Sequence, residues 1–282
     1  METMTTNYLS LTPEEKWEQA TLANNFIFYK VMRNHQDACK QLLEMLLGIK
    51  IESMEMKQEE TIALDYDSKG IRLDVFVKDT GRMFDVELQV ANTKELPERA
   101  RYYQGVMDVD TLKAGQKYKE LRDSHIIFIC LEDVFKNGLP VNTFANICLE
   151  DGKTKFGDRT YKHFFFAPLC AKMIEDKEVK AFFEFLISNQ ASSSYTDELK
   201  NYVADAKQST ENKMQFMTWE RQRAYDLDAG REEGIEIGAH QKAVEAAENM
   251  MKKNYPIDDI CEITGLSLEQ VLEIKEKVSV KA

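Results

Sequence analysis

Residues 71–90, IRLDVFVKDTGRMFDVELQV, restrict the fold of this chain more than any other segment. Apolar and polar residues alternate on both sides of a Gly-containing turn, which is the pattern of two β-strands joined as a hairpin. Because successive strand residues point to opposite faces of a sheet, Asp85, Glu87 and Gln89 share one face, and the apolar residues between them share the other. The segment therefore predicts a sheet with two carboxylates and an amide on one face.

The first strand of this hairpin carries a further carboxylate, Asp74, which pairing across the turn can bring beside Glu87. Carboxylates so close together raise one another's pKa, and a hard divalent cation removes that penalty by accepting their oxygens as ligands. The pattern predicts a site for Mg²⁺, with Mn²⁺ as a substitute. The alternative is the solvated face of an ordinary edge hairpin. We expect Asp85, which is nearer the turn, to be a solvated neighbour, and Asp65 and Asp67 to be turn residues.

The rest of the first 190 residues alternates between helical and strand patterns. Apolar residues recur at helical spacing over residues 13–48, with a break near residues 33–37 and an end at Gly48, and again over residues 96–121 and 176–188. Short apolar or alternating runs predict strands at residues 61–66, 125–131, 144–150 and 162–169, of which 125–131 has the composition of a buried central strand. This order predicts an α/β fold with a mixed central sheet flanked by helices.

A change in composition predicts the domain organisation. The polar, Ser-rich segment NQASSSYTDEL at residues 189–199 is typical of a linker, and almost everything after it has a helical pattern. We therefore expect a core at residues 15–190 and a helical region at residues 191–282. Within that region Gly230, Gly234 and Gly238 recur every four residues, which indicates either a loose helix or a place where two helices approach closely.

Composition excludes several functional classes. The net charge of −12 disfavours nucleic-acid binding by bulk electrostatics, so any such contact has to be local or assisted by a metal ion. No apolar run approaches the roughly 20 residues of a membrane helix, and the first residues do not resemble a secretory signal, so we expect a cytoplasmic protein that does not contact membranes. The five cysteines are scattered without CxxC spacing, and the four histidines lie far apart, which argues against a zinc site.

Asp74 followed by a turn and Glu87-x-Gln89 resembles the PD-(D/E)XK phosphodiesterase pattern, with Gln in the position of the usual Lys. Over nearly the whole chain, the sequence is similar to the Rpn family of recombination-promoting nucleases, which are also described as bacterial transposases. The similarity includes ANNFIFYKVM, GIRLDVFVKD, FDVELQV, LPERARYYQGVMD, HIIFICL and the Gly-repeat tail that starts at GREEGIEIGA. Singly these motifs are weak, but their order and spacing are specific.

The resemblance implies a restriction-endonuclease-like core and a hydrolase that cleaves DNA phosphodiester bonds with Mg²⁺, through metal-activated water. Asp74 and Glu87 would be catalytic metal ligands, and the backbone carbonyl of Leu88 would add a third ligand. Gln89 would orient water, but it cannot supply the positive charge that Lys brings to the transition state.

Other residues are candidates for supporting roles. Arg101 can hold a phosphate with two hydrogen bonds, or it can be an ordinary solvated side chain, and Gln104 lies about one helical turn from it. Glu44 is an acidic candidate in the opening helical segment, where related sequences commonly carry Asp at the position of Asn25. The resemblance leaves open a catalytically weak DNA-binding or assembly protein that keeps the nuclease fold.

The C-terminal segment 254–275 resembles a helix-turn-helix, with an apolar stripe, Gly265 at the turn and Ser267 as a helix cap. Its second helix is nearly neutral, whereas a DNA-reading helix normally carries more Arg, Asn or Gln. Self-association through these C-terminal helices is therefore an equally good interpretation. A protein that serves only for interaction, with carboxylates that merely solvate an edge, is the more distant alternative.

Overall fold

The computed structural model describes residues 11–56, 61–62, 71–72, 75–91 and 93–280. Asp65, Asp67 and Asp74 lie outside these residues. The helices are α1 (Pro13–Gln19), α2 (Asn25–Asn34), α3 (Gln36–Leu47), α4 (Leu96–Thr111), α5 (Ala167–Met173), α6 (Lys177–Ser188), α7 (Ser194–Gln208), α8 (Thr210–Lys252), α9 (Ile257–Thr264) and α10 (Leu268–Val280). The strands are β1 (Glu55–Met56), β2 (Thr61–Ile62), β3 (Ile71–Arg72), β4 (Val75–Asp79), β5 (Arg82–Gln89), β6 (Asp123–Cys130), β7 (Val141–Phe144) and β8 (Thr160–Phe166).

The first helices begin and end where their capping residues predict. Thr12 and Glu15 form a reciprocal capping box at the start of α1, and the Asn24 side chain accepts hydrogen bonds from two backbone amides at the start of α2. His35 joins α2 to α3, and α3 ends at Gly48, whose φ of 64° suits a residue without a side chain. The predicted break near residues 33–37 and the predicted end at Gly48 are confirmed.

A mixed six-stranded sheet forms the centre of the fold, with the strand order β1-β4-β5-β6-β8-β7. The predicted hairpin is confirmed: β4 and β5 pair antiparallel, with Asp79 opposite Arg82 across the turn, and Gly81 in that turn has a φ of 82°. The strands β5 and β6 pair in parallel, as do β6 and β8. The apolar strand β6 therefore lies inside the sheet, as its composition predicts. The strands β2 and β3 form a separate pair.

Helix α4 covers one face of this sheet. Its buried residues Leu96, Ala100 and Met107 belong to one apolar cluster with strand residues that include Met83 on β5 and Phe128 on β6. The carboxylates of β5 face the same side, because they alternate with residues that point to the opposite face. Helix α4 therefore covers the predicted site.

Helices α2 and α6 pack on the other side of the sheet. Helix α2 contacts β4 and β5, and the ring of Phe183 on α6 stacks 6.0 Å from that of Phe165 on β8. Helix α7 packs against both α2 and α6. The sheet is thus covered by helices on both faces, so the predicted α/β architecture is confirmed.

Two predicted segments differ from the structure, and a third, the predicted strand 162–169, extends three residues too far because α5 begins at Ala167. Regular helix ends at Thr111 instead of continuing to residue 121, because Gly115, with a φ of 89°, follows in an irregular connection before a short 3₁₀ turn at Tyr118–Glu120. The segment 144–150 is not a strand. Strand β7 ends at Phe144, and beyond it an isolated bridge joins Ile147 to Lys155 within an exposed loop.

The described chain divides into two compact units, Met1–Phe216 and Met217–Ala282. In the second unit, Ile260 on α9 and Val271 on α10 pack with Ala247 near the end of α8. Gly265 ends α9 with a φ of 70°, and the Ser267 hydroxyl accepts a hydrogen bond from the Gln270 amide, so the predicted helical hairpin forms. No helix in the described residues combines the length and the apolar character that a membrane span requires.

Candidate metal centre on the central hairpin

The central strand β5 places two acidic side chains beneath α4. Asp85 is fully buried, and Glu87, two residues further on, is 4% exposed. The expectation that Asp85 is solvated is therefore wrong. Strand alternation correctly predicted the face of the sheet on which the Asp85 side chain lies. Its burial, however, depends on α4 and the neighbouring strands, which cover that face. Burying negative charge is costly unless positive charge or hydrogen bonds compensate for it, so this face of β5 is a natural place for cations.

Arg99, which the sequence analysis missed, lies at the centre of the site. It lies in the first turn of α4 and extends its guanidinium towards the end of β5. Its Nη2 donates to Oε2 of Glu87 at 2.9 Å and to the hydroxyl oxygen of Tyr103 at 3.1 Å, and its Nη1 donates to Oε1 of Gln89 at 2.9 Å. Its spacing of four residues from Tyr103 was a signal in the sequence, since such residues neighbour each other on a helix.

Two aromatic rings lie close to this guanidinium. Its central carbon lies 5.3 Å from the ring centre of Tyr103 and 5.6 Å from that of Phe128, distances at which a cation is attracted to a ring face. Burial, followed in importance by the negative charge of Glu87, raises the pKa of the Tyr103 phenol to about 12. Tyr103 is therefore a neutral hydrogen-bond acceptor for Arg99 at physiological pH.

Gln89 is held in one orientation at the end of β5. Its Nε2 donates to the backbone carbonyl of Ala91, so its Oε1 is turned towards Arg99. The neighbouring Leu88 has its side chain buried on the opposite face of the sheet, at 1% exposure. The proposed role of Leu88 depends on its backbone carbonyl and remains a prediction, as do the roles of Glu87 and Gln89.

Two further predicted site residues lie on α4 in different surroundings. Arg101 is exposed, whereas Gln104 is 6% exposed and donates from Nε2 to the carboxylate of Asp108, at 3.3 Å to Oδ1. Burial raises the pKa of Asp108 and lowers that of Lys162 on β8, and the opposite charges of these two groups counteract both shifts. Gln104 therefore belongs to a polar cluster distinct from the contacts of Arg99.

The contacts of Glu44 are with the segment that follows its own helix. Its Oε1 accepts a hydrogen bond of 2.8 Å from the Ile51 amide, and Lys50 lies 3.6 Å from Oε2. The hydrogen bond from Ile51 is the main cause of a lowered pKa for this carboxyl. Glu44 thus anchors the connection that follows α3, and a metal-related role for it remains a prediction.

Two of the four histidines meet although 38 residues separate them. Nδ1 of His125 on β6 lies 3.1 Å from Nε2 of His163 on β8, and Nδ1 of His163 lies 3.1 Å from the hydroxyl of Thr143. Their rings are on the face opposite Glu87, because His125 stacks with Phe84. Parallel pairing of β6 with β8 causes this meeting, which sequence spacing does not reveal.

The donor set beneath α4 suits a hard cation. Its ligands would be carboxylate and amide oxygens, which Mg²⁺ and Mn²⁺ accept, and it contains neither the thiolates nor the imidazoles that zinc favours. Among the described residues, which do not include Asp74, there is no group of three or more His, Cys, Asp or Glu side chains placed to hold a metal ion. A complete ligand set therefore requires Asp74 or ligands from water and substrate.

A family model described as PD-(D/E)XK nuclease family transposase matches residues 24–226, more than half of the 282-residue chain. The match includes the hairpin, α4 and the strands that follow. Together with the mixed six-stranded sheet flanked by helices, it confirms the predicted restriction-endonuclease-like core. No curated protein and no solved structure matches the chain significantly.

Proposed function

The chain belongs to the PD-(D/E)XK nuclease family of transposases, and we propose that it is a DNA endonuclease that hydrolyses phosphodiester bonds with a divalent cation, Mg²⁺ or Mn²⁺. Asp74 and Glu87 are the proposed ligands of that cation, with the Leu88 carbonyl as a further ligand. Gln89 is proposed to orient the attacking water. In this assignment the hairpin is the catalytic element, and α4 is the element that supports it.

The observation that carries this proposal is the burial of Asp85 and Glu87 on one face of a central strand. An ordinary edge hairpin would leave such carboxylates in water, where their charge costs little. The strand register gives further support. Val75 pairs with Val86, the residue before Glu87, so the ladder of the hairpin reaches the strand position next to this carboxylate.

The residues of this chain would divide the chemistry between them. A bound Mg²⁺ or Mn²⁺ supplies charge stabilisation for the phosphate and lowers the pKa of water. The Gln89 amide can hold a water molecule by hydrogen bonds. Helix α4 covers the face of β5 and so limits the access of bulk water to it. Arg101, exposed on the same helix, is a candidate contact for a phosphate of the DNA backbone.

The net charge of −12 shapes how such an enzyme would bind DNA. Neutralisation of many phosphates by a broad basic surface is disfavoured, so affinity would depend on a few local contacts and on the cation. We therefore expect binding to require the divalent ion more strongly than it depends on monovalent salt.

A second candidate is a catalytically weak DNA-binding or assembly protein that retains the nuclease fold. Two observations favour it: residue 89 is a neutral amide, and the Arg99 guanidinium lies 2.9 Å from an oxygen of Glu87, the proposed metal ligand. A cation that binds Glu87 would have to share this carboxylate with Arg99 or displace it.

A plasmid cleavage assay separates these candidates. Purified protein is incubated with supercoiled DNA in Mg²⁺, in Mn²⁺ or in excess chelator, beside the Asp74→Ala and Glu87→Gln variants. Glu98→Gln, at an exposed position on α4, is the matched control. Metal-dependent nicking that both site variants lose and the control keeps supports the endonuclease. DNA binding without cleavage in either metal supports the second candidate.

A further inference from the structure

Arg99 connects three polar side chains through a single guanidinium. It contacts Glu87 and Gln89 on β5 at 2.9 Å each, and Tyr103 one turn along its own helix at 3.1 Å. A guanidinium presents its donors in a rigid planar fork, so contacts with two different residues fix their relative positions as well as their charge. Glu87 and Gln89 are thereby held in a defined arrangement from above the sheet.

The position of this charge matters because residue 89 carries none. The guanidinium donates directly to Oε1 of Gln89, so a full positive charge lies within one hydrogen bond of the strand position where the family pattern has Lys. It is a permanent charge, since Arg remains protonated in proteins. Glu87 is almost fully buried, and in surroundings of low polarity the influence of a nearby charge is much larger than in water.

The same charge also acts on the proposed cation site. Nη2 lies 2.9 Å from Oε2 of Glu87, so a divalent cation approaching that carboxylate meets a positive group already in place. Like charges so near each other repel, which weakens cation binding at the Glu87 oxygen. Arg99 would therefore supply a charge that favours a phosphate and at the same time lower the affinity for the metal.

We infer that Arg99 is a positioning residue that brings to Gln89, from α4, the positive charge that residue 89 lacks, and that sets the divalent-cation affinity of Glu87. The part that concerns cleavage rests on the proposed nuclease function. The part that concerns cation affinity does not. Apolar contacts, among them those of Leu96, Ala100 and Met107, hold α4 on the sheet, so the helix does not depend on Arg99 to stay in place.

The first experiment measures Mn²⁺ binding by calorimetry on the full-length protein without DNA. Arg99→Met keeps most of the apolar stem but removes the charge, and it should bind Mn²⁺ about 3- to 10-fold more tightly, because the repulsion is lost. Arg99→Lys keeps the charge and should stay within about 3-fold of the wild type. Lys117→Ala, which removes an exposed charge beyond α4, is the matched control. Unchanged or weaker binding by a folded Arg99→Met protein would overturn the inference.

The second experiment measures DNA cleavage in variants that remove the positive charge from position 99 or transfer it to position 89. Arg99→Met should lower kcat about 10- to 10³-fold with a smaller change in KM, because charge stabilisation near the reacting phosphate is lost. Adding Gln89→Lys to Arg99→Met should raise kcat at least about 3-fold above that of Arg99→Met alone, since it returns a positive charge to the strand. A double variant as slow as Arg99→Met would contradict the charge role.

These two experiments also separate this inference from the proposed function. If the wild type cleaves DNA in neither metal, the endonuclease proposal fails, but the comparison of Mn²⁺ affinities still decides whether Arg99 tunes the site. Thermal unfolding of each variant verifies that it is folded. If Arg99→Met does not fold, Arg99→Gln, which also removes the charge, replaces it in both measurements with the same expected results. Unchanged or weaker Mn²⁺ binding by a folded Arg99→Gln protein would then overturn the inference.

Discussion

The hydroxyl of Tyr195 donates a hydrogen bond of 2.8 Å to the backbone carbonyl of Ala38, 157 positions earlier in the chain. Tyr195 lies on α7, beyond the Ser-rich segment, and is 2% exposed. Slightly further on, the ring of Phe216 packs 5.2 Å from that of Trp17. The boundary expected near residue 190 remains a prediction, and these contacts favour placing it after Phe216.

We predict that a fragment of residues 1–216 unfolds cooperatively, whereas a fragment of residues 1–190 is strongly destabilised or insoluble. The shorter fragment lacks Tyr195, Leu199 and Phe216, and loss of a single large buried side chain typically costs about 3–5 kcal/mol. Urea unfolding followed by circular dichroism checks this. Equal midpoints for the two fragments would return the boundary to residue 190.

Stability should fall between neutral and mildly acidic pH because of the paired histidines. Burial lowers the pKa of His125 and of His163 from 6.5 to about 4. The unfolded chain takes up protons at these positions near pH 6.5, whereas the folded chain stays neutral until about pH 4. Their contribution is therefore fully present above pH 6.5 and is lost as the pH falls towards 4.

Urea unfolding at pH 7.0 and pH 5.0 tests this dependence. Between these two pH values, the free energy of unfolding of the wild type should fall by on the order of 1–3 kcal/mol more than that of a His163→Asn variant. The same measurement on His240→Asn, at an exposed position in α8, is the control and should reproduce the wild-type slope. Identical slopes for wild type and His163→Asn would show that the pair does not titrate in this way.

Asp74 and Glu87 should bind one divalent cation together, because carboxylates that lie close together on the two strands of the hairpin, as the sequence pattern predicts, gain from its charge. Calorimetry with Mn²⁺ should show a single site in the wild type. Asp74→Ala and Glu87→Ala should each weaken it at least about 100-fold, since loss of one carboxylate ligand leaves a buried charge uncompensated. Undiminished binding in both variants would remove the site.

Gln89→Ala should separate catalysis from metal binding. An amide adds little to a cation held by carboxylates, so Mn²⁺ affinity should stay within about 3-fold. The cleavage rate should fall about 10²- to 10³-fold, the usual cost of one positioned polar group at a reacting centre. Gln89→Lys in the wild-type background should gain less than in the Arg99→Met background, because the lysine ammonium would lie beside the guanidinium. Equal cleavage rates for Gln89→Ala and wild type would exclude a catalytic role.

The glycines of α8 offer a test of self-association. A methyl group added at Gly230, Gly234 or Gly238 would meet nothing within 4 Å in the described chain. If α8 does not contact a second copy of the chain, Gly234→Ala should therefore raise the free energy of unfolding by about 0.5–1 kcal/mol, and Ala239→Gly should lower it by a similar amount. Light scattering alongside thermal unfolding checks both. If Gly234→Ala instead dissociates an oligomer, the glycines are a contact between copies of the chain.

The local sequence pattern was sufficient to predict the hairpin that carries the site. Alternation along β5 placed Glu87 and Gln89 on one face, and the turn at Gly81 joined the two strands as expected. The end of α3 at Gly48 also follows from local preference, because glycine readily adopts the positive φ that ends the helix. These features depend on backbone sterics within a few residues, which each segment carries with it wherever it packs.

The sequence by itself determined which side chains share the face of β5, because strand geometry alternates residues whatever surrounds the strand. Only the tertiary structure decided that Asp85 is buried and not solvated, that Arg99 and not Arg101 contacts Glu87, and that His125 meets His163. Each of these depends on which helix covers the sheet and which strands lie side by side. Long-range packing settles such contacts, because burial and charge compensation are properties of the assembled core and not of any one segment.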